Sequence, residues 1–208
     1  MKLKLFFIFF ALSISALLGL NVFSSIDIIE IGSKIPEPDM QMRDISDELF
    51  SLQELNKENG LLVVFSCNTC PFVNAWEDRY KTISQLCKVK NVGMAAINSN
   101  AARRDGVDSM DEMIKHAKEK GYEFRYLLDE NANLALLFGA TKTPQIFLFN
   151  KDLKLVYTGA IDDNLKNAEK VKNHYLVNAI NNLVDMKKID PSITEALGCS
   201  IKKVAAKK

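Results

Sequence analysis

Cysteine is scarce in this chain. Cys67, Cys70, Cys87 and Cys199 are the four thiols among 208 residues. They are too few and too unevenly spaced for a disulfide scaffold, so apolar burial must hold the fold. Charge of one sign is missing as well: 27 Lys and Arg stand against 26 Asp and Glu. That balance gives no reason to expect nucleic acid as a partner. Histidine is nearly absent, with only His116 and His174, and neither sits at a spacing that pairs it with another ligand. A metal centre built on the cysteines would need such ligands, so no metal and no organic cofactor is expected. Internal repeats and low-complexity segments are lacking too. What remains is ordinary globular composition, 48% hydrophobic and 25% charged, over a length suited to one domain.

The one long hydrophobic run lies ahead of the fold. Lys2 and Lys4 precede an uncharged apolar stretch from Leu5 to Leu20, a basic segment followed by an apolar one of signal-peptide length. Residues 1–24 are therefore expected to be a signal peptide, with compact residues before Ser25. The alternative is a retained membrane anchor over residues 3–23, since a tilted helix of that length nearly spans a bilayer. The expected location is exported, periplasmic or secreted, with a membrane partner only if the segment is kept. In such oxidising surroundings a close cysteine pair is either a disulfide or a working redox couple.

Residues 25–190 read as the domain and 191–208 as a flexible, Lys-ended tail. Gly32 to Asn59 mixes Pro, Asp and short apolar pairs, as a leading loop with a hairpin and a helical turn at Ser51–Leu55. "LLVVFS" (61–66) is short, unbroken and rich in β-branched residues, the mark of a strand buried on both faces. In "PFVNAWEDRYKTISQLCKVK" the residues Phe72, Val73, Trp76, Tyr80, Ile83 and Leu86 or Cys87 recur in steps of three and four, giving an amphipathic helix. "VGMAAINS" is a second buried strand. "SMDEMIKHAKEKG" is a surface helix with Ser109 as cap, Glu112 three residues on and Gly121 past its end. "FRYLLD" is extended and "NANLALLFGA" is a short helix stopped by Gly139. "PQIFLFN" and "KLVYTGAI" form a hairpin about "NKD", and residues 168–188 form a closing helix. This order predicts an α/β fold with a central mixed sheet flanked by helices.

The stretch "VVFSCNTCPFVNAW" carries the chemistry. A Cys-x-x-Cys between a buried strand and a helix meets the unpaired N–H groups and positive dipole of the helix start, which favour thiolate over thiol. Cys67, at the strand end, is the expected attacking thiol. Cys70, in the first turn, is close enough to resolve a mixed disulfide. Pro71 is tolerated where the first helical N–H groups lack partners; a helix running from Cys67 would lose one bond there, so a later start or a local kink is expected. Thr143 and Pro144 stand directly before a buried strand, and the Thr143–Pro144 bond is a candidate cis peptide. The proline offers no competing N–H, and a free Thr143 backbone would pair with an extended substrate peptide beside Cys67.

These motifs, with "AINSN", "LLDENANLALLFGATKTPQIFLFN", "LVYTGAIDDN" and "GCSIK", resemble the thioredoxin superfamily. Within it they are similar to the extracytoplasmic, peroxiredoxin-like proteins of the alkyl-hydroperoxide-reductase/thiol-specific-antioxidant related group. The resemblance covers roughly residues 30–203, and the leading segment resembles that group's N-terminal extension. It implies a thioredoxin-like fold, Cys67 and Cys70 as redox pair and Pro144 as cis-proline. It also implies protein thiols or disulfides as substrates and an upstream partner that resets the pair. Three departures stand out. Asn68-Thr69 replaces the Gly-Pro of thioredoxin, and that dipeptide tunes redox potential. "LLVVF" has no buried acid to move protons. The Thr and Pro that bind peroxide in peroxiredoxins are Val64 and Gly60 here, which argues against thiol peroxidase chemistry.

The blander readings stand beside these. Cys67 and Cys70 read equally by spacing as a static disulfide, or as part of a metal-carrying or redox-inactive binding module. Cys87 falls on the buried stripe of its helix and is a small core residue. Cys199, in the tail, is either a plain thiol or an additional redox thiol exchanging with Cys67 or with another molecule. Phe72 and Trp76 are core aromatics unless exposed beside Cys67. Arg103 and Arg104 read as solvated charge, and Asp162-Asp163 as an exposed turn.

Overall fold

The computed structural model describes residues 28–204; the expected signal peptide and the last four residues lie outside them. Among the described residues no helix is long and apolar enough to cross a membrane.

The centre is β3 (Leu61–Ser66), in which all six residues are buried. It pairs in parallel with β4 (Gly93–Asn98), Leu61 opposite Gly93, and antiparallel with β7 (Gln145–Phe149), Leu61 opposite Phe149. Outward from β4 come β5 (Arg125–Leu128) and the short hairpin of β1 (Met42–Asp44) and β2 (Leu49–Phe50). On the other side β8 (Leu155–Gly159) completes a seven-stranded mixed sheet of order β2-β1-β5-β4-β3-β7-β8. A separate two-stranded ladder joins β6 (Lys142–Thr143) to β9 (Cys199–Ser200).

Strand alternation divides the core. Leu61, Val63, Phe65, Ala95, Ile97, Leu127, Phe147 and Phe149 face one way, onto α1 (Leu52–Leu55) and α4 (Asn133–Leu137). Phe138, just after α4, meets Phe65 and Phe147 edge-on with centroids 5.2 Å from each. Leu62, Val64, Ile146, Leu148 and Tyr157 face the other way, onto α2 (Pro71–Val89) and α5 (Tyr175–Val184). Val73, Trp76, Tyr80, Ile83 and Cys87 form the buried stripe of α2, as their spacing requires. Cys87 is 1% exposed, and burial pushes its thiol up to about 12. On the same side α3 (Met110–Lys120) lays Met113 and Ala117 over Ala96 and Tyr126. Its ends follow the sequence: the Ser109 side chain accepts the Glu112 N–H, and Gly121 closes the helix at φ 65.

Two segments differ from expectation. The closing helix runs only from Tyr175 to Val184, after a 3₁₀ turn at Ala168–Lys170. Asp163 captures the N–H groups of Lys172 and Asn173 at 3.0 and 3.1 Å, which diverts that backbone from helix. The tail is packed rather than loose over its described part. Thr158 N–H donates to Ser192 O, and Thr194 N–H donates to Thr158 O, each at 3.0 Å. The Thr194 hydroxyl meets Tyr157 Oη at 2.7 Å and accepts the Ala160 N–H at 2.9 Å.

Candidate functional site

The parallel strands β3, β4 and β5 end along one edge of the sheet, and the thiols gather there. Cys67 leaves β3 directly, and Cys70 is the N-cap of α2 with Pro71 at the first helical position. Of the two expectations raised by Pro71, a later helix start and a kink, the helix takes the later start. Thr143 reaches both sulfurs: its Oγ1 lies 3.4 Å from Cys67 Sγ, and its carbonyl oxygen 3.1 Å from Cys70 Sγ. The Thr143–Pro144 bond is cis. Cys67 and Cys70 are 2% and 4% exposed, and both pack with Val73, Phe72 and Cys199.

One element was read differently from the sequence. The Thr143 backbone is not free: it pairs with Cys199 of β9. The tail can take this position because Gly198 lies flat against Thr143, where an added Cβ would sit 2.4 Å from the carbonyl oxygen.

The two thiols hydrogen-bond to each other and titrate as a pair. That bond holds Cys70 well below the ordinary thiol range; burial opposes it, while the Cys199 thiol and N–H and the Val73 N–H add to it. The same bond, then burial, push Cys67 up; the Thr143 hydroxyl pulls it down and the charge of Asp108 pushes it further up. Those contacts favour the charge on Cys70 over Cys67. The contact between Cys70 Sγ and Thr143 O works against it, because a carbonyl oxygen favours S–H over thiolate.

The buried acid missing from β3 comes from elsewhere. Asp108, 0% exposed, accepts the Asn68 N–H at 3.0 Å and the side-chain amides of Asn98 and Asn100 at 2.9 Å each. Asn68, between the cysteines, is held three ways. Its Nδ2 donates to Val107 O at 2.9 Å, and its Oδ1 accepts from Tyr126 Oη at 2.8 Å. Arg104 turns inward instead of into solvent and donates to the carbonyls of Asp108, Asn98 and Asp129 at 2.8, 3.1 and 2.9 Å. Burial pulls its guanidinium below the ordinary range. Arg103 stays exposed. The Asn- and Ser-rich run "INSN" hinted at this network, but only folding brings residues 98–108 beside residue 68. Trp76 is 1% exposed core with Arg79 stacked 5.0 Å from its ring centroid. Asp162 is buried too, 3.3 Å from Arg79 Nε, rather than an exposed turn.

Further along α2, another carboxylate is buried against α3. Glu77 Oε1 accepts from His116 Nε2 and from Tyr122 Oη at 2.6 Å, and Oε2 forms an ion pair with Lys120 Nζ at 2.9 Å. Burial pushes this carboxyl up, and those bonds outweigh it, leaving the group at about 2. His116 is thereby engaged in a structural pair, away from the cysteines.

A strand-end thiol pair facing a cis-proline loop in a mixed α/β sheet defines a thioredoxin-fold thiol redox protein. The Redoxin family model matches residues 30–172, and the chain belongs to that family. No curated protein matches it. An uncharacterized conserved protein from Geobacillus kaustophilus shares 30% identity, with 87% of this chain and 96% of that one covered and a TM-score of 0.80. A hypothetical protein from Sinorhizobium meliloti shares 29% identity over 86% and 98% of the two chains, TM-score 0.79. A putative protein disulfide isomerase from Bacteroides thetaiotaomicron shares the fold at 16% identity, over 76% and 92%, TM-score 0.56. The protein is a thioredoxin-like redox enzyme.

Proposed function

We propose that the chain is an exported thiol–disulfide oxidoreductase acting on protein disulfides, in which Cys67 attacks and Cys70 resolves. The observation that carries this is the double reach of Thr143, hydroxyl to Cys67 and carbonyl to Cys70. When the shared proton sits on Cys70, its S–H has the carbonyl as acceptor. The thiolate is then on Cys67, where the Thr143 hydroxyl donates to it. The pair is thus built to pass one proton between its sulfurs, and either charge state has partners waiting.

The cycle follows. Cys67 thiolate attacks one sulfur of the substrate disulfide, forming a mixed disulfide and releasing the other sulfur as a thiolate. Cys70, deprotonated in turn, attacks Cys67 Sγ and expels the second substrate thiolate. Two electrons have passed to the substrate, and Cys67–Cys70 is left as a disulfide that an upstream dithiol partner reduces. Thiol peroxidase chemistry is the lesser reading, because position 64 presents a valine buried in the core at 1% exposure. Export rests on the sequence alone, on Lys2, Lys4 and the Leu5–Leu20 run.

The test compares the full chain with Cys67→Ser in reducing a protein disulfide with dithiothreitol, measuring hydrogen peroxide consumption in parallel. Catalysed reduction that vanishes in the variant, with negligible peroxide turnover, is the expected result. Fast peroxide turnover moves the assignment to a peroxidase, and absence of both activities overturns it.

A further inference from the structure

The C-terminal segment lies across the thiol pair and is fastened at both sides. On one side β9 pairs antiparallel with β6, Lys142 opposite Ser200 and Thr143 opposite Cys199, and Ile201 N–H donates to Thr141 O at 3.0 Å. On the other, Lys202 N–H donates to Asn100 Oδ1 at 2.8 Å, and Ala102 N–H donates to Lys202 O at 2.8 Å. Ile201 is tucked into the core at 8% exposure. The backbone of Thr143, which would add an extended peptide as a strand, is therefore already taken by the chain itself. A docked tail and a docked peptide exclude one another. The ladder is two residues long and half exposed, which puts it at the low-stability end of the fold, where local opening is easiest. Where it docks, it delivers a third thiol: Cys199 packs against the cluster of Cys67, Cys70 and Val73, and of the two cysteines it is Cys70 whose titration it alters.

We propose that residues 198–202 form a redox latch, a built-in occupant of the substrate-peptide edge that Cys199 fastens through a disulfide to Cys70. The latch rests on the oxidoreductase reading above, since one turnover on a substrate disulfide supplies the oxidised pair. Cys199 thiolate attacks Cys70 Sγ of the Cys67–Cys70 disulfide. The Cys70–Cys199 bond forms, and Cys67 leaves as a thiolate that takes up the proton Cys199 gave away. No electrons enter or leave, so the step is an isomerisation needing no further oxidant. Its effect is to shut the peptide edge while the enzyme is spent, and a dithiol that reduces Cys70–Cys199 reopens it. In the reduced protein the docked Cys199 adds its hydrogen bonds to Cys70, holding charge there. Undocking removes them and releases the charge toward Cys67.

The experiment treats the full chain, Cys67→Ser and Cys70→Ser with glutathione disulfide, blocks free thiols with N-ethylmaleimide, and maps the disulfides by mass spectrometry after trypsin. A Cys70–Cys199 linkage in the wild type and in Cys67→Ser, absent from Cys70→Ser, is the expected result. Cys199 recovered only as a maleimide or glutathione adduct in all three would overturn the latch. Gly198→Val, which leaves every thiol in place, is expected to lower the linkage yield several-fold, and an unchanged yield would count against docking as its cause. Cys199→Ser should still reduce a protein disulfide. If it is as inactive as Cys67→Ser, then Cys199 is part of the catalytic pair's chemistry and the latch is wrong. The oxidoreductase reading is judged separately, on Cys67→Ser activity, so either can fail alone.

Discussion

Among the carboxylates buried in the described residues, Asp108 and Glu77 have partners that differ in kind. Asp108, beside the thiols, is served by a backbone N–H and two side-chain amides. Glu77, between α2 and α3, is served by Lys120, His116 and a tyrosine hydroxyl. At Glu77 a cation sits against the anion, and the group clamps two helices while its charge adds to the burial that pushes up the Tyr80 and Tyr122 hydroxyls packed beside it. At Asp108 the hydrogen-bond donors are uncharged amides. The charge stays available to its surroundings and raises the neighbouring Cys67 thiol. The acid held by amides beside the thiols acts on Cys67, and the acid paired with Lys120 acts on its tyrosine neighbours and ties α3 to α2.

That contrast can be broken at three points. Asp108→Ala should have the largest effect, since it strips the acceptor from three buried donors, the Asn68 N–H and the Asn98 and Asn100 amides. A loss of about 3 kcal/mol in urea unfolding is expected, and a loss below about 1 kcal/mol would mean the amides simply re-pair. Glu77 predicts a pH effect of similar order. Its folded value, about 2, lies below the ordinary 4.5. Its contribution is therefore complete above pH ~4.5 and fades as pH falls toward ~2, on the order of 3 kcal/mol in all. Glu77→Gln should flatten that part of the stability–pH curve, and an unchanged acid limb would remove Glu77 from its cause. The smallest effect belongs to Asp108→Asn, which keeps the shape and deletes the charge. Maleimide labelling of Cys67 should then begin at lower pH than in the wild type, whereas the same labelling in Glu77→Gln should not move. Equal shifts in both variants would erase the distinction.

Much of this architecture was legible because it depends on local pattern. The unbroken apolar run at 61–66 had to be a two-faced buried strand, and the stripe from Val73 to Cys87 had to face the sheet. Pro71 set the start of α2, while Ser109 and Gly121 set the ends of α3. The pair and the Thr143–Pro144 loop were legible as residue types, and the structure puts them in contact. What stayed hidden depends on contacts across long stretches of chain. Residues 168–174 carry enough helix formers to look continuous with α5, but Asp163 takes their N–H groups. Arg104 reads as a surface charge until β4 and β5 present it with carbonyls. The tail reads as loose because its composition is polar. Its order comes from Thr194, Gly198 and Ile201, each meeting a partner at least 34 residues earlier in the chain.

The strip Ser192–Thr194 along β8 has a consequence for behaviour in crowded solution. A sheet's last strand offers a row of unpaired N–H and C=O groups, a template on which another molecule can build. Here the chain spends its own backbone on that rim, giving Thr158 both a donor and an acceptor from residues 192–194. At the opposite margin β2 is only two residues long, too short to recruit a neighbour. The same segment that carries Cys199 toward the thiols thus also covers the outer edge of β8, and clipping it before Ser192 would leave the Thr158 backbone N–H and C=O without these partners.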